Sequence, residues 1–298
     1  MHIDKLTFSI LRAIWAIEPQ LALSYAGFIS KLITHNLESV EEKLPLAAYA
    51  FTENGDRLMM YEDNNGKQVS MFDSFPSGST AIIPLKGTML KEDTWCSYGT
   101  ESIASVMKEA AAHKNIKCLV VDGDTGGGAV DSIFPMIDAR NFAKKMGKPI
   151  VGSGDTIGSA GYYAFSCFDL IVAQNDISSA FGSIGVVASF QDVQPYYEKL
   201  GVKFHKVYAP ESDAKNQAFD LALKGDYSLI KSELLSPLAR KFQADVRAFR
   251  AGKIDITQKG ILNGKMFFAQ DAVKFGLADE IGNLEHAIKR ANELAKSN

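Results

Sequence analysis

Cys118-Leu119-Val120-Val121-Asp122-Gly123-Asp124-Thr125-Gly126-Gly127-Gly128-Ala129-Val130 runs four apolar residues into a turn rich in glycine and out again into an apolar helical pattern over about 129–146. A short apolar run closed by a turn reads as a buried strand. The unit repeats on either side. Upstream, Ala81-Ile82-Ile83-Pro84-Leu85 reads as a strand and 101–113 as a helix with Ile103, Val106, Met107 and Ala110 on one face. Downstream come a strand at Pro149-Ile150-Val151-Gly152, a short helix from Ser159, and a strand at Leu170-Ile171-Val172-Ala173. Short apolar strands alternating with helices predict an α/β layer structure with a mainly parallel sheet.

The flanks change character. After Gly201 the chain offers strand-like Phe204 to Tyr208, polar Glu211 to Asn216, a long helix over about 226–251 despite Pro237, and a last helix over about 283–296. In residues 36–78, Asn54-Gly55 and Asn65-Gly66 flank the alternating stretch Arg57 to Tyr61 and predict hairpin turns. Ser74 to Gly78 is linker-like, so the expected division is 1–78, an N-terminal extension of helices and hairpin, and 79–298, the main domain with a C-terminal helical arm. Leu6, Ile10, Ala13, Ile14 and Ile17, then Leu21, Tyr25, Phe28, Ile29 and Leu32, recur at helical spacing and predict two amphipathic helices joined at Glu18-Pro19. Arg12, Glu18 and Pro19 interrupt this region before the roughly 18 to 20 apolar residues needed to cross a bilayer. No integral membrane segment and no signal-peptide cleavage site are expected.

A formal net charge of -3 without any basic cluster argues against a nucleic-acid partner. Three cysteines, Cys96, Cys118 and Cys167, are an odd set without C-x-x-C spacing, which points to a reducing, cytoplasmic setting and to no metal site. No cofactor is expected.

Three glycine-rich turns follow apolar strands: Asp122 to Gly128, Gly152 to Gly161, and Phe181 to Gly185. Ligands of parallel sheets bind at the carboxyl ends of strands, where such turns converge. Glycine lets a backbone come close and turn its N–H groups toward a developing negative oxygen. Gly126-Gly127-Gly128 matches neither G-x-x-x-x-G-K-[ST] nor G-x-G-x-x-G, which disfavours phosphate binding, and a plain tight turn stays open. Ser159 fits either a nucleophile at a strand-to-helix turn or an N-cap. Of the five histidines only His205 could serve as its base, and strand alternation leaves that residue equally suited to the surface. A desolvated lysine is the other route to a base, and Lys215 sits in a polar turn past a strand.

Taken together these segments resemble the signal peptide peptidase A family. Gly152 to Ala164, GSGDTIGSAGYYA, is similar to the family's nucleophile segment, usually A-S-G-G-Y-Y; VVDGDTGGGAV is similar to its oxyanion strand and turn, typically ending S-P-G-G; and FGSIGV at 181–186 is close to T-G-S-I-G-V. Glu211 to Lys215 stands where the family has S-G-x-x-K, and LNGKMFFAQDAVKFGLADEIG resembles its C-terminal module. The order and spacing agree over roughly residues 80 to 283. The resemblance implies a crotonase-like fold related to the Clp protease proteolytic subunit, with a Ser-Lys dyad. Ser159 would be the nucleophile, Lys215 its deprotonated base, Ser183 the residue orienting the lysine, and the N–H groups of Gly127 and Ala160 the oxyanion donors. It also implies a peptide or protein substrate and a homo-oligomeric ring in which neighbouring subunits can share a site. Three departures stand out: Ala160 for glycine, Asp124-Thr125 for Ser-Pro, and Ser212-Asp213 before the lysine. An inward Asp124 would favour charged Lys215. The N-terminal region resembles phage and prophage members that process capsid or scaffold proteins. A signal-peptide-degrading peptidase, a crotonase-type acyl-CoA enzyme and a catalytically silent assembly scaffold are the alternatives.

Overall fold

The computed structural model describes residues 70, 72–94, 97–190 and 192–297, together with the backbone of 15–17, 49–51 and 57–58. In chain order the elements are β1 (Trp15–Ile17), β2 (Tyr49–Phe51), β3 (Arg57–Leu58), β4 (Ser79–Lys86), α1 (Thr100–Ala112), β5 (Ile116–Thr125), β6 (Gly127–Ala129), α2 (Ile133–Lys145), β7 (Ile150–Gly158), α3 (Ala160–Ser166), β8 (Leu170–Ala173) and β9 (Ala180–Gly182). Then follow α4 (Gln194–Lys199), α5 (Gln217–Ala222), α6 (Ser236–Phe249), β10 (Met266–Phe268), α7 (Ala269–Lys274), β11 (Glu280–Ile281) and α8 (Leu284–Ser297).

The predicted mainly parallel α/β sheet is present. β4, β5 and β7 lie side by side in parallel, and β7 is parallel to β8 along its first half and to β9 along its second. β2 joins β4 antiparallel and pairs antiparallel with β3, while the turn signal at Asn54-Gly55 lies outside the described residues. The Asn65-Gly66 signal lies outside the described residues.

Alternation along β4 and β5 feeds two cores. Ala81, Ile83, Leu85, Leu119 and Val121 face α1, α2 and α3, whereas Ile82, Cys118 and Val120 face Ala287 and Ala291 of α8. With side chains buried on both faces, the strands read as continuous apolar runs.

The long helix expected over about 226–251 is present, running unbroken over 228–249, with Ile230–Leu235 wound as a π-helix just ahead of Pro237. Three expectations are corrected. Residues 204–208 are exposed coil, because among the described residues no strand lies beside them to take their backbone hydrogen bonds. The glycines of 152–158 belong to β7 rather than to a turn, because a Cβ on Gly152 would sit 2.6 Å from the Phe165 ring; removing it lets α3 settle on the sheet. Finally, Trp15–Ile17 is a strand, not the end of a helix, because an open backbone edge on β6 is available to it. The rest of the two predicted N-terminal helices lies outside the described residues. Among the described residues no helix is long and apolar enough to cross a membrane.

The C-terminal module is clamped to the sheet by one buried cation. Arg250, 1% exposed, donates to Asp279 through both terminal nitrogens at 2.9 and 3.0 Å and to the Gly276 carbonyl. Burial alone would raise the Asp279 carboxyl, but the Arg250 hydrogen bonds and charge outweigh it and hold the group below the usual carboxylate range. A group held low in the folded state stabilises above its unfolded pKa and loses that contribution as pH falls through the folded one. Arg250→Met should therefore destabilise the protein by about 3 kcal/mol in urea unfolding at neutral pH. That deficit should narrow as acid protonates Asp279; a deficit constant down to strong acid would contradict the pairing.

Candidate active site

Ser159 follows the last residue of β7 and precedes α3. Its backbone sits at φ 53 and ψ -118, a region that L residues adopt at a cost of about 1–3 kcal/mol. The turn is held from both sides: the Ser159 N–H donates to the Gly182 carbonyl, and the Ser159 carbonyl accepts from Tyr163 N–H, each at 2.9 Å. The hydroxyl makes no capping bond to α3. It donates instead to the Gly185 carbonyl at 3.3 Å, so the elbow rather than the N-cap is the arrangement found. The residue is 1% exposed.

α3 is anchored from behind. Tyr163 stacks on Phe242 of α6 with ring centroids 4.4 Å apart, and its hydroxyl donates to Asp245. Tyr162, fully buried, donates to the Leu277 carbonyl at 3.1 Å. Two successive tyrosines thus fix the helix whose first N–H groups have no intrahelical acceptor, and the Ala160 N–H is one of these.

The turn after β5 comes up against the same helix. A Cβ on Gly158 would lie 3.3 Å from the Gly126 carbonyl oxygen, and one on Gly161 would lie 2.5 Å from Thr125 Cγ2. Gly127 has φ 102 and donates its N–H to Thr125 Oγ1 at 3.1 Å, so the first expected oxyanion donor is internally bound here. Gly128 lies so close to Met89 that a Cβ would be 1.9 Å from the Met89 carbonyl oxygen. Gly128→Ala should accordingly cost about 1–3 kcal/mol by overpacking and lower the melting temperature by several degrees in calorimetry. An unchanged melting temperature would mean that this contact can relax freely.

Ser183 lies beside Ser159. β7 and β9 are parallel and end in register at Gly158 and Gly182, so the two serines are the next residues of adjacent strands, and Ser183 also has a positive φ of 54. Lys215 is exposed in the turn between Pro210–Ser212 and α5, its backbone N–H donating to the Ser212 carbonyl, and among the described residues nothing pairs with its ammonium. Within one chain the structure brings together Ser159, Ala160, Gly127 and Ser183, and no hydrogen bond among the described residues joins the exposed Lys215 to them. Asp124 is exposed, with its backbone carbonyl accepting from Gly87 N–H.

Several other candidate nucleophiles and bases among the described residues are engaged or out of place. Burial pushes the Cys167 thiol up to about 12, which removes it as a nucleophile. His113 contacts Asp73, His286 contacts Glu280, and His205 is exposed coil. Three contributors went unrecognised in the sequence: Thr125 as acceptor for Gly127, the Gly185 carbonyl as partner of Ser159, and Gly128 as an edge. Backbone roles leave almost no mark on residue type; only the glycine run signalled them.

Lys215 belongs to an arm. Between Ile184 and Ala222 no described residue is buried, although Tyr196, Leu200, Phe204 and Val207 are apolar, and Val207 is 93% exposed.

Fold and site define an α/β protein with a buried serine on a strand-to-helix elbow, facing a glycine turn. Residues 142–298 match Peptidase family S49, and the chain belongs to that family. It is 25% identical to Protease 4 of Haemophilus influenzae over 216 residues, which cover 72% of this chain and 34% of that one. It is 24% identical to the head-tail preconnector protein GP5 of Enterobacteria phage P21, covering 70% of this chain and 42% of that one. It is also 24% identical to capsid assembly protease C of Escherichia phage lambda, covering 70% and 47% respectively. The chain thus spans less than half the length of these relatives. Among solved structures it is similar to a mutant of the 1510-N membrane-bound stomatin-specific protease, at 12% identity and a TM-score of 0.47, covering 73% of this chain and 85% of that one. It is similar also to an enoyl-CoA hydratase from Shewanella pealeana, at 12% identity and a TM-score of 0.41, covering 76% and 73%.

Proposed function

We propose that the chain is a serine endopeptidase in which Ser159 attacks the scissile carbonyl and Lys215 of a neighbouring copy is the base. The observation that carries this reading is Ser159 itself: a buried hydroxyl on a strained elbow, at the start of a helix, with only a carbonyl as partner. On leaving Gly185 the hydroxyl gives its proton to the lysine amine as the bond to the substrate carbon forms. The oxyanion is held by the N–H groups of Ala160 and Gly127, the latter exchanging its bond to Thr125 Oγ1. The lysine then hands the proton to the leaving amine, water releases the acyl group, and Ser183 orients the lysine.

The exposed apolar arm supports assembly. Monomers seldom leave so many apolar side chains in water over one segment. A second copy packed on the arm, in a homo-oligomeric ring, would bury them and would bring its lysine toward a neighbour's serine. The relatives named as a capsid assembly protease and a head-tail preconnector protein support capsid or scaffold proteins as substrates, in the cytoplasm of a bacterial host. No cofactor enters this reaction. A serine-directed fluorophosphonate should label Ser159, and mass-spectrometric mapping of new termini on proteins encoded by neighbouring genes should identify the substrate. Absence of any label on the assembled protein would defeat the reading.

A further inference from the structure

β6 is a strand of three residues with a neighbour on each side. On one side Met89 donates its N–H to the Gly127 carbonyl at 3.0 Å and accepts from Ala129 N–H at 2.9 Å. Backbone polar groups alternate in direction along a strand, so the N–H and C=O of Gly128 turn to the opposite side. There β1 runs antiparallel, with Trp15 opposite Ala129, Ala16 opposite Gly128 and Ile17 opposite Gly127. Ala16 is therefore the residue that exchanges both hydrogen bonds with Gly128. The pair forms a two-stranded sheet separate from the main one.

Two features make this pairing easy to exchange. It is short, and a two-stranded ribbon is marginal in water. Its partner positions are also mostly glycine, so β6 offers backbone rather than side chains and grips whatever extended chain lies there, as in strand addition to a sheet edge. The edge is continuous with the Thr125–Gly127 turn that abuts Gly158 and Gly161 on either side of Ser159.

We propose that Trp15–Ile17 is an internal occupant of the edge that takes the peptide substrate, so that the free protein blocks itself and substrate must displace the chain's own strand. This rests on the peptidase reading above. A segment seated for nine-tenths of the time lowers apparent substrate affinity about tenfold.

The test uses full-length variants. Ala16→Pro removes the N–H that Gly128 accepts, whereas Ile17→Pro removes one that alternation turns away from β6. With unchanged melting temperatures, Ala16→Pro should raise kcat/KM and the rate of fluorophosphonate labelling of Ser159 about tenfold, through KM, and Ile17→Pro should match the wild type. Wild-type rates in Ala16→Pro would overturn the proposal, as would a loss of activity, which would make β1 a part of the site. No labelling or cleavage by any of the proteins would instead defeat the peptidase reading. Amide exchange then decides the occupancy on the wild-type protein, without catalysis and whether or not the proline variant folds. An excess of an extended leucine-alanine decapeptide should release the Ala16 N–H to exchange while Gly128 stays protected, and continued protection of Ala16 overturns the proposal.

Discussion

Ser159→Ala is expected to keep the fold and to lower kcat/KM for peptide cleavage at least about a thousandfold, with fluorophosphonate labelling abolished. Alanine is the informative replacement. It has a Cβ, as serine does, so the positive φ at 159 is no more strained than before, and both backbone bonds that hold the elbow, to Gly182 and from Tyr163, are kept. What is lost is the hydroxyl and its bond to the Gly185 carbonyl, worth about 1 kcal/mol of stability at most. Circular dichroism and a melting curve close to wild type, alongside absent cleavage, would confine the effect to chemistry. Residual activity within tenfold of wild type would take Ser159 out of the mechanism.

Lys215→Ala should be equally severe, and it allows a second question to be asked. Because Lys215 is exposed and makes no bond to Ser159 within one chain, inactive Ser159→Ala and Lys215→Ala proteins, dissociated, mixed and reassembled, should regain roughly a quarter of wild-type activity, the share of interfaces that pair an intact serine with an intact lysine. No recovery from a mixture shown to have exchanged subunits would place the base within the same chain or on another residue. The wild-type rate should also climb toward alkaline pH, since the amine must be uncharged to take the proton. A rate flat from acid to alkaline would remove lysine as the base.

The readable parts of the fold were those whose residue types are fixed by burial. β4, β5, β7 and β8 are apolar runs because both faces of the sheet are covered, and α1 and α8 show their apolar stripes because each packs by one side only. Residues 204–208 have strand-like residue types without a described partner strand, and residue type cannot report whether a neighbour exists. Gly152 and Gly154 look like turn residues, yet they are strand positions emptied of side chains to admit Phe165 and Ile157.

The sequence by itself determined the layered α/β plan, the strand-to-helix step at Ser159, and the glycine run beside it, because burial period and backbone permissiveness are written in residue type. Only the tertiary structure decided that the Ser159 hydroxyl rests on Gly185, that Gly127 is engaged by Thr125, that Lys215 is exposed without a bond to the serine of its own chain, and that Trp15–Ile17 lies along β6. Each of these is a matter of which distant backbone group comes within hydrogen-bonding reach. Every residue carries the same N–H and C=O, so no local pattern can announce where they will meet.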